Sequence, residues 1–198
     1  MLCMANQTLP FRVTAEKSSS GDGVRLLLCA ILAVVFAGCG RSDNEAIVSA
    51  DQNQASLIGK VIHFDASHEA EPYKVSGWSG TETNFTWTEG KAAVLALPVP
   101  QNVGALRLRV LVSAYTHPPE LRSQPVEVYA NGLKVANWDI ASPTKNTADI
   151  PDEVTAKGTT LTLQFRTEMA TAPAAFSPNA DPRVLGICCY ELELVRLP

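Results

Sequence analysis

Residues 60–198 predict an all-β fold, an antiparallel β-sandwich of jelly-roll type, on three observations. Short segments of alternating or continuous apolar residues recur between clusters of Gly, Pro, Asn and Ser. Asn131-Gly132 lies between two of them, a strong hairpin signal because both turn residues tolerate positive φ. No segment of this region sustains a helical period; residues 152–157 allow about a turn or two before Gly158.

The segments follow in order. Residues 60–65 (KVIHFD) and 73–78 (YKVSGW) come first, then 84–88 (NFTWT) and the small-residue run 92–97 (AAVLAL). Residues 105–112 alternate Leu106, Leu108 and Val110 with Arg107 and Arg109, the period of a strand with one wet face, and the terminal Val110-Leu111-Val112 run reads as buried on both sides. Residues 124–130 and 133–140 are the arms of the Asn-Gly hairpin, with Val126, Val128 and Ala130 on one face. Residues 159–166 turn Leu161, Leu163 and Phe165 inward, and 187–197 close the chain with Tyr190, Leu192 and Leu194 expected on one side. About nine or ten strands in a domain of this length fit two packed sheets. The wet faces carry Arg and Thr, which argues against a lipid-facing barrel.

The chain has 198 residues, 46% hydrophobic and 18% charged, the composition of one globular domain with an appendage. Its formal net charge is -4 and it has no run of basic residues, so no nucleic-acid partner is expected. The appendage is N-terminal. Leu26 to Ala37 (LLLCAILAVVFA) is apolar throughout, follows Arg25 and precedes a polar stretch from Gly40. At about a dozen residues it is too short for a membrane span, which takes roughly 20, and has the length of a signal-peptide core.

Its end, Phe36-Ala37-Gly38-Cys39, resembles the lipobox of bacterial lipoproteins, with Phe36 where an aliphatic residue is usual. The resemblance implies cleavage before Cys39, acylation of that cysteine with palmitate-type chains, and a bilayer as partner through those chains. A conventional secretory cleavage near Ala37 is the alternative, and either reading exports the protein. Gly40 stands where an Asp would resemble an inner-membrane retention signal, so the outer membrane is favoured in a Gram-negative host. The expected organisation is a leader and signal peptide over 1–38, a flexible tether over 39–59, rich in Ser, Asn, Gln and Asp, and the sandwich over 60–198.

Of five cysteines, Cys3 and Cys29 leave with the leader and Cys39 takes the lipid, so Cys188 and Cys189 remain. Neighbours on a strand point to opposite faces, which predicts two free thiols with at least one buried rather than a disulfide. No Cys-x-x-Cys and no tight His cluster is present; His63, Asp65 and His68 make at most a weak metal site, and no metal or cofactor is expected.

Gly77-Trp78, Glu82, the run Phe85 to Gly90 (FTWTEG), Val126 to Gly132 (VEVYANG), Ser177-Pro178 and Asp181 to Gly186 (DPRVLG) together resemble the β-sandwich module attached to some bacterial membrane glycosyltransferases and related cell-envelope proteins. The Thr86 position commonly holds Arg in that family. The resemblance implies a galactose-binding-like fold in an envelope-polysaccharide setting and brings no catalytic mechanism.

Trp78 and Trp87 are the candidate ligand contacts, because the C–H faces of sugar rings stack on exposed aromatics. The competing expectation is that they fill the core. Phe85 and Trp87 share a strand face, taken to be the inward one. Glu82, Asp181 and Arg183 are loop-borne charges that either hold sugar hydroxyls or form an internal ion pair tying the 78–84 loop to the Asp181 loop. Glu82, Glu89 and Asp181 offer carboxylates for a glycosidase pair, but nothing sets their separation and no Gly-x-Ser-x-Gly elbow accompanies His63, His68 or His117. The long loops 115–125 and 167–182 are the expected functional rim. The reading is a non-catalytic envelope lipoprotein whose sandwich binds carbohydrate or polysaccharide; the alternative is an interaction or assembly module for an envelope enzyme, docking by a sheet edge or rim.

Overall fold

A computed structural model describes residues 56–198; the leader, the lipidation site at Cys39 and most of the tether lie outside the described residues. The described chain is an antiparallel β-sandwich with a single short α-helix, as its alternation predicts. The strands are β1 (Val61–His63), β2 (Lys74–Ser76), β3 (Trp78–Thr81), β4 (Thr86–Glu89), β5 (Ala92–Pro98), β6 (Leu106–Ala114), β7 (Gln124–Ala130), β8 (Leu133–Ile140), β9 (Thr144–Ile150), β10 (Thr160–Arg166) and β11 (Leu185–Arg196), with α1 at Asp152–Thr155. The front sheet runs β3-β4-β11-β6-β9, and β1 pairs with the second half of β11 beyond the end of β4. The back sheet runs β2-β5-β10-β7-β8. From β4 to β7 the chain changes sheet at every strand, the winding of a jelly roll.

The core lies between the sheets and is built from the inward halves of the alternating strands. Leu106, Leu108, Val110 and Val112 of β6 face Leu161, Leu163 and Phe165 of β10, all with relative exposure of 1% or less. Burying a side chain of this kind is worth about 1.5–3 kcal/mol, so this row is a main source of stability. Alternation in β6 persists to its end: Leu111 is half-buried on the outer face, not enclosed on both sides as its apolar neighbours led one to expect. Leu57 is also buried and Ile58 bridges to Leu194, so the packed part of the domain begins just ahead of β1.

Turn chemistry appears where the sequence places it. Asn131 and Gly132 both have positive φ and close the β7–β8 hairpin, and the Asn131 amide also holds Val154 and Thr162. Gly77 splits the 73–78 segment into β2 and β3, one in each sheet. It has φ +72°, and a Cβ there would lie 1.9 Å from the Ala92 carbonyl oxygen. Strand β9 (TKNTADI) escapes sequence reading because its inward residues are Asn146, Ala148 and Ile150, of which only the last is a strong apolar marker.

Strand β11 departs from the expected pattern. Its register shifts between Cys189 and Glu191, a β-bulge at Tyr190. Ile187 and Cys189 face the core before the bulge, Leu192 and Leu194 after it, and Tyr190 is left outside. The expectation that Tyr190 shares a face with Leu192 and Leu194 is therefore corrected: one extra residue shifts the phase. Among the described residues no helix is long and apolar enough to cross a membrane.

Gly77→Ala is expected to destabilise the domain by more than about 2 kcal/mol, because the methyl meets backbone and the φ is strained. A urea titration followed by tryptophan fluorescence measures it.

Candidate functional site

The site begins with the β3–β4 hairpin at one edge of the front sheet. In β4, Thr86 and Thr88 are the inward residues, both fully buried. Their hydroxyls are satisfied: Thr86 donates to the Phe64 carbonyl (2.9 Å), and Thr88 accepts from Ile187 N (3.0 Å) and bonds its carbonyl (3.2 Å). Since neighbours alternate, Phe85 and Trp87 face solvent. They do share a face, but it is the outer one, and the inward expectation is overturned by two threonines whose hydroxyls find backbone partners.

Phe85 contacts Trp87 edge-on at 5.6 Å between centroids and Tyr190 at 5.4 Å. All three rings are half-buried, so an apolar patch with polar tips at Trp87 and Tyr190 runs from the start of β4 to β11. Tyr190 joins it only through the bulge, and burial, with the Cys188 thiol nearby, raises its pKa.

Trp78 goes the other way. Its ring packs against Phe64 at 5.3 Å and Phe165 at 6.4 Å, and its Nε1 donates to the Val94 carbonyl at 2.9 Å. Half-buried itself, it packs against the core and joins the two sheets. Trp138 does the equivalent at the far side, packing near Phe165 and donating to the Thr147 carbonyl.

Glu82, Asp181 and Arg183 come together. The Arg183 guanidinium forks onto Asp181 (2.6 and 2.9 Å), and its Nη2 reaches Glu82 at 3.3 Å. Asp181 also accepts from the Arg183 backbone N–H. The cluster ties the turn after β3 to the approach of β11, and each of the three side chains keeps about a third of its surface in solvent. Hydrogen bonding to Arg183 holds the Asp181 carboxyl below the usual carboxylate range, and Arg183 is raised in return. A general acid needs the opposite shift.

Behind the hairpin, Lys74 reaches from the back sheet to the front. Its side chain is 8% exposed, and its ammonium donates to Glu71 (2.7 Å), Thr86 (3.1 Å) and Thr81 (3.2 Å). The bond from Lys74, with a further one from Thr81, holds Glu71 below its ordinary pKa. A buried ammonium is tolerated only when all its protons are used, and here they are. This clasp is invisible in sequence because its members belong to four separate elements.

The rim loops meet at one end of the sandwich. His117 stacks on Phe176 at 4.2 Å and 11°, and buried Gln124 donates to the carbonyls of Tyr115 and Met169. His63 and His68 lie near Glu191 and Glu71 respectively, and among the described residues no group of three metal-ligating side chains forms. Cys188 and Cys189 are free and buried; burial raises both thiols, so they stay protonated and unreactive near neutral pH.

No family model and no curated protein matches this chain. Solved structures similar to it include the CBM36-1 domain of a multidomain xylanase from the hindgut metagenome of Trinervitermes trinervoides, at 8% identity and TM-score 0.42 over 70% of this chain and 97% of that one. A family 35 carbohydrate binding module from Clostridium thermocellum follows at 9% identity and TM-score 0.40, covering 68% of this chain and 96% of that one. A carbohydrate-binding module CBM36 in complex with calcium and xylotriose has 9% identity and TM-score 0.35, over 61% of this chain and 85% of that one. Scores this low leave the chain's function to be read from its own side chains.

Trp78→Ala is expected to cost about 2–4 kcal/mol of stability, since its ring packs on Phe64 and Phe165 against the core, while Trp87→Ala costs on the order of 1 kcal/mol, the worth of an edge-on ring contact; denaturant midpoints of the two variants separate the roles. A second expectation concerns acid. Asp181 and Glu71 have folded pKa values below their unfolded ones, so their contribution is fully present above the unfolded range near pH 4 and is lost as pH falls through the folded values. Urea unfolding at pH 7, 4 and 3 should show this loss, and Asp181→Asn should flatten part of it.

Proposed function

We propose that this chain is an exported, lipid-anchored and non-catalytic binding protein of the bacterial cell envelope, whose sandwich holds a saccharide against the Phe85–Trp87–Tyr190 patch. The carrying observation is that three aromatic rings converge on the solvent side of the front sheet while the inward positions of the same strand are given to threonine. Sugar rings present C–H faces to aromatic surfaces and hydroxyls to charged groups, and Glu82, Asp181 and Arg183 supply fixed acceptors and donors at the same hairpin.

Recognition fits this arrangement better than turnover. Arg183 engages both Glu82 and Asp181, and Asp181 is held ionised. In the leader, the lipobox-like Phe36-Ala37-Gly38-Cys39 supports acylation at Cys39, and the polar residues up to the domain serve as a tether. Gly40 favours the outer membrane in a Gram-negative host.

Glycan-array binding of the purified protein should fall at least about tenfold with Trp87→Ala, a change equal to roughly 1.4 kcal/mol, without loss of the thermal transition. Absence of any retained glycan, together with capture of one defined envelope protein, selects the assembly-module alternative instead. Mass spectrometry of the processed N-terminus should show a diacylated Cys39; a free thiol there refutes the anchor.

A further inference from the structure

The Phe85–Trp87–Tyr190 patch does not end at β11. On the same face, across β1, β11, β6 and β9, lies a groove of about 350 Å³, within the range of small-molecule sites, roughly 300–1,000 Å³. Val61, 43% exposed, and Leu111 form its apolar part, and Arg109, Lys145, Glu191 and Glu193 stand around them. Register explains the grouping: Leu111 is opposite Glu191 on one side and Lys145 on the other, and Arg109 is opposite Glu193. Three interstrand steps from β1 to β9 make the groove about 14 Å across. The bulge joins it to the patch, because Tyr190 and Glu191 are consecutive residues on the outer side of β11.

We infer that the ligand of this face is a neutral, hydroxyl-rich oligosaccharide lying across the strands, with the aromatic patch and the groove as successive subsites. The inference deepens the saccharide-binding reading and rests on it. Charge decides the class. The groove offers two cations and two anions, of which Arg109 and Glu193 hold each other at 3.3 Å. A polyanion meets Glu191 and Glu193, and a polycation meets Arg109 and Lys145, so neither gains on balance. A neutral polyol uses both the donors and the acceptors, and lays its C–H faces on Val61 and Leu111. Length follows from continuity: one sugar covers the patch, and only a chain reaches the groove.

The test is isothermal titration of the full-length protein in detergent with neutral β-1,4-linked gluco-, manno- and xylo-oligosaccharides from one to six units, with oligogalacturonates and chitosan oligomers as anionic and cationic counterparts. Affinity for a neutral series should rise about tenfold or more between two and five units. Leu111→Trp and Lys145→Ala should abolish that gain and leave disaccharide binding intact, whereas Trp87→Ala weakens every length. Lys145 is exposed, so its variant reports even if Leu111→Trp misfolds. Affinity that is flat with length, or unmoved by both groove variants while Trp87→Ala still weakens it, overturns the groove and spares the patch. A preference for either charged series at equal length overturns the neutral class. Failure of every oligomer to bind removes the saccharide reading itself, and this inference with it.

Discussion

The outer face of the front sheet depends on one extra residue in β11. Strand geometry sends neighbours to opposite sides, so an unbroken strand holding Ile187 and Cys189 in the core would bury Glu191 and Glu193 and expose Leu192 and Leu194. The bulge at Tyr190 resets the phase and rescues both halves. It also coincides with the place where the neighbour of β11 changes from β4 to β1. Ahead of it the outer face is aromatic; beyond it the same face is a charged groove with an apolar floor.

A second constraint is polar. Jelly-roll sheets must be held together at their open edges, where short strands bury little. At the β2/β3 edge that task falls to Lys74, whose ammonium crosses to Thr81 and Thr86 of the front sheet and also holds Glu71 just ahead of β2. Thr86 in turn donates to Phe64, and Thr88 bonds Ile187, so the inward face of β4 is stitched by hydrogen bonds rather than filled by rings. This is why Trp87 stands outside. Gly186 completes the arrangement: a Cβ there would come within 2.7 Å of the Thr167 hydroxyl and 2.8 Å of that of Thr88.

The Glu82–Arg183–Asp181 cluster forms the internal ion pair that was one of its two expected roles. Arg183 is fixed within its own loop by the fork onto Asp181 and ties that loop to the β3–β4 turn through Glu82, and the cluster keeps part of its surface in water. Fixed charges of this kind suit recognition, because their geometry is set before a ligand arrives.

The sequence by itself determined the sandwich, the Asn131-Gly132 hairpin, the inward rows of β6, β7 and β10, the convergence of Glu82 with the Asp181–Arg183 loop as one of two open readings, and the free state of Cys188 and Cys189, since each follows from period, turn chemistry or short-range spacing. Tertiary structure alone decided the assignments that turn on which face is which. Phe85 and Trp87 were legible as a pair, but their side of the sheet depended on whether Thr86 and Thr88 could find partners 22 and 99 residues away. Trp78 went inward because Phe64, Phe165 and the Val94 carbonyl await it. Tyr190 moved outward because of a bulge that composition does not announce, and β9 stayed hidden because its inward residues are Asn146 and Ala148 as well as Ile150. Periodicity reports that a face exists; only contacts distant in sequence decide whether it meets the core or the solvent.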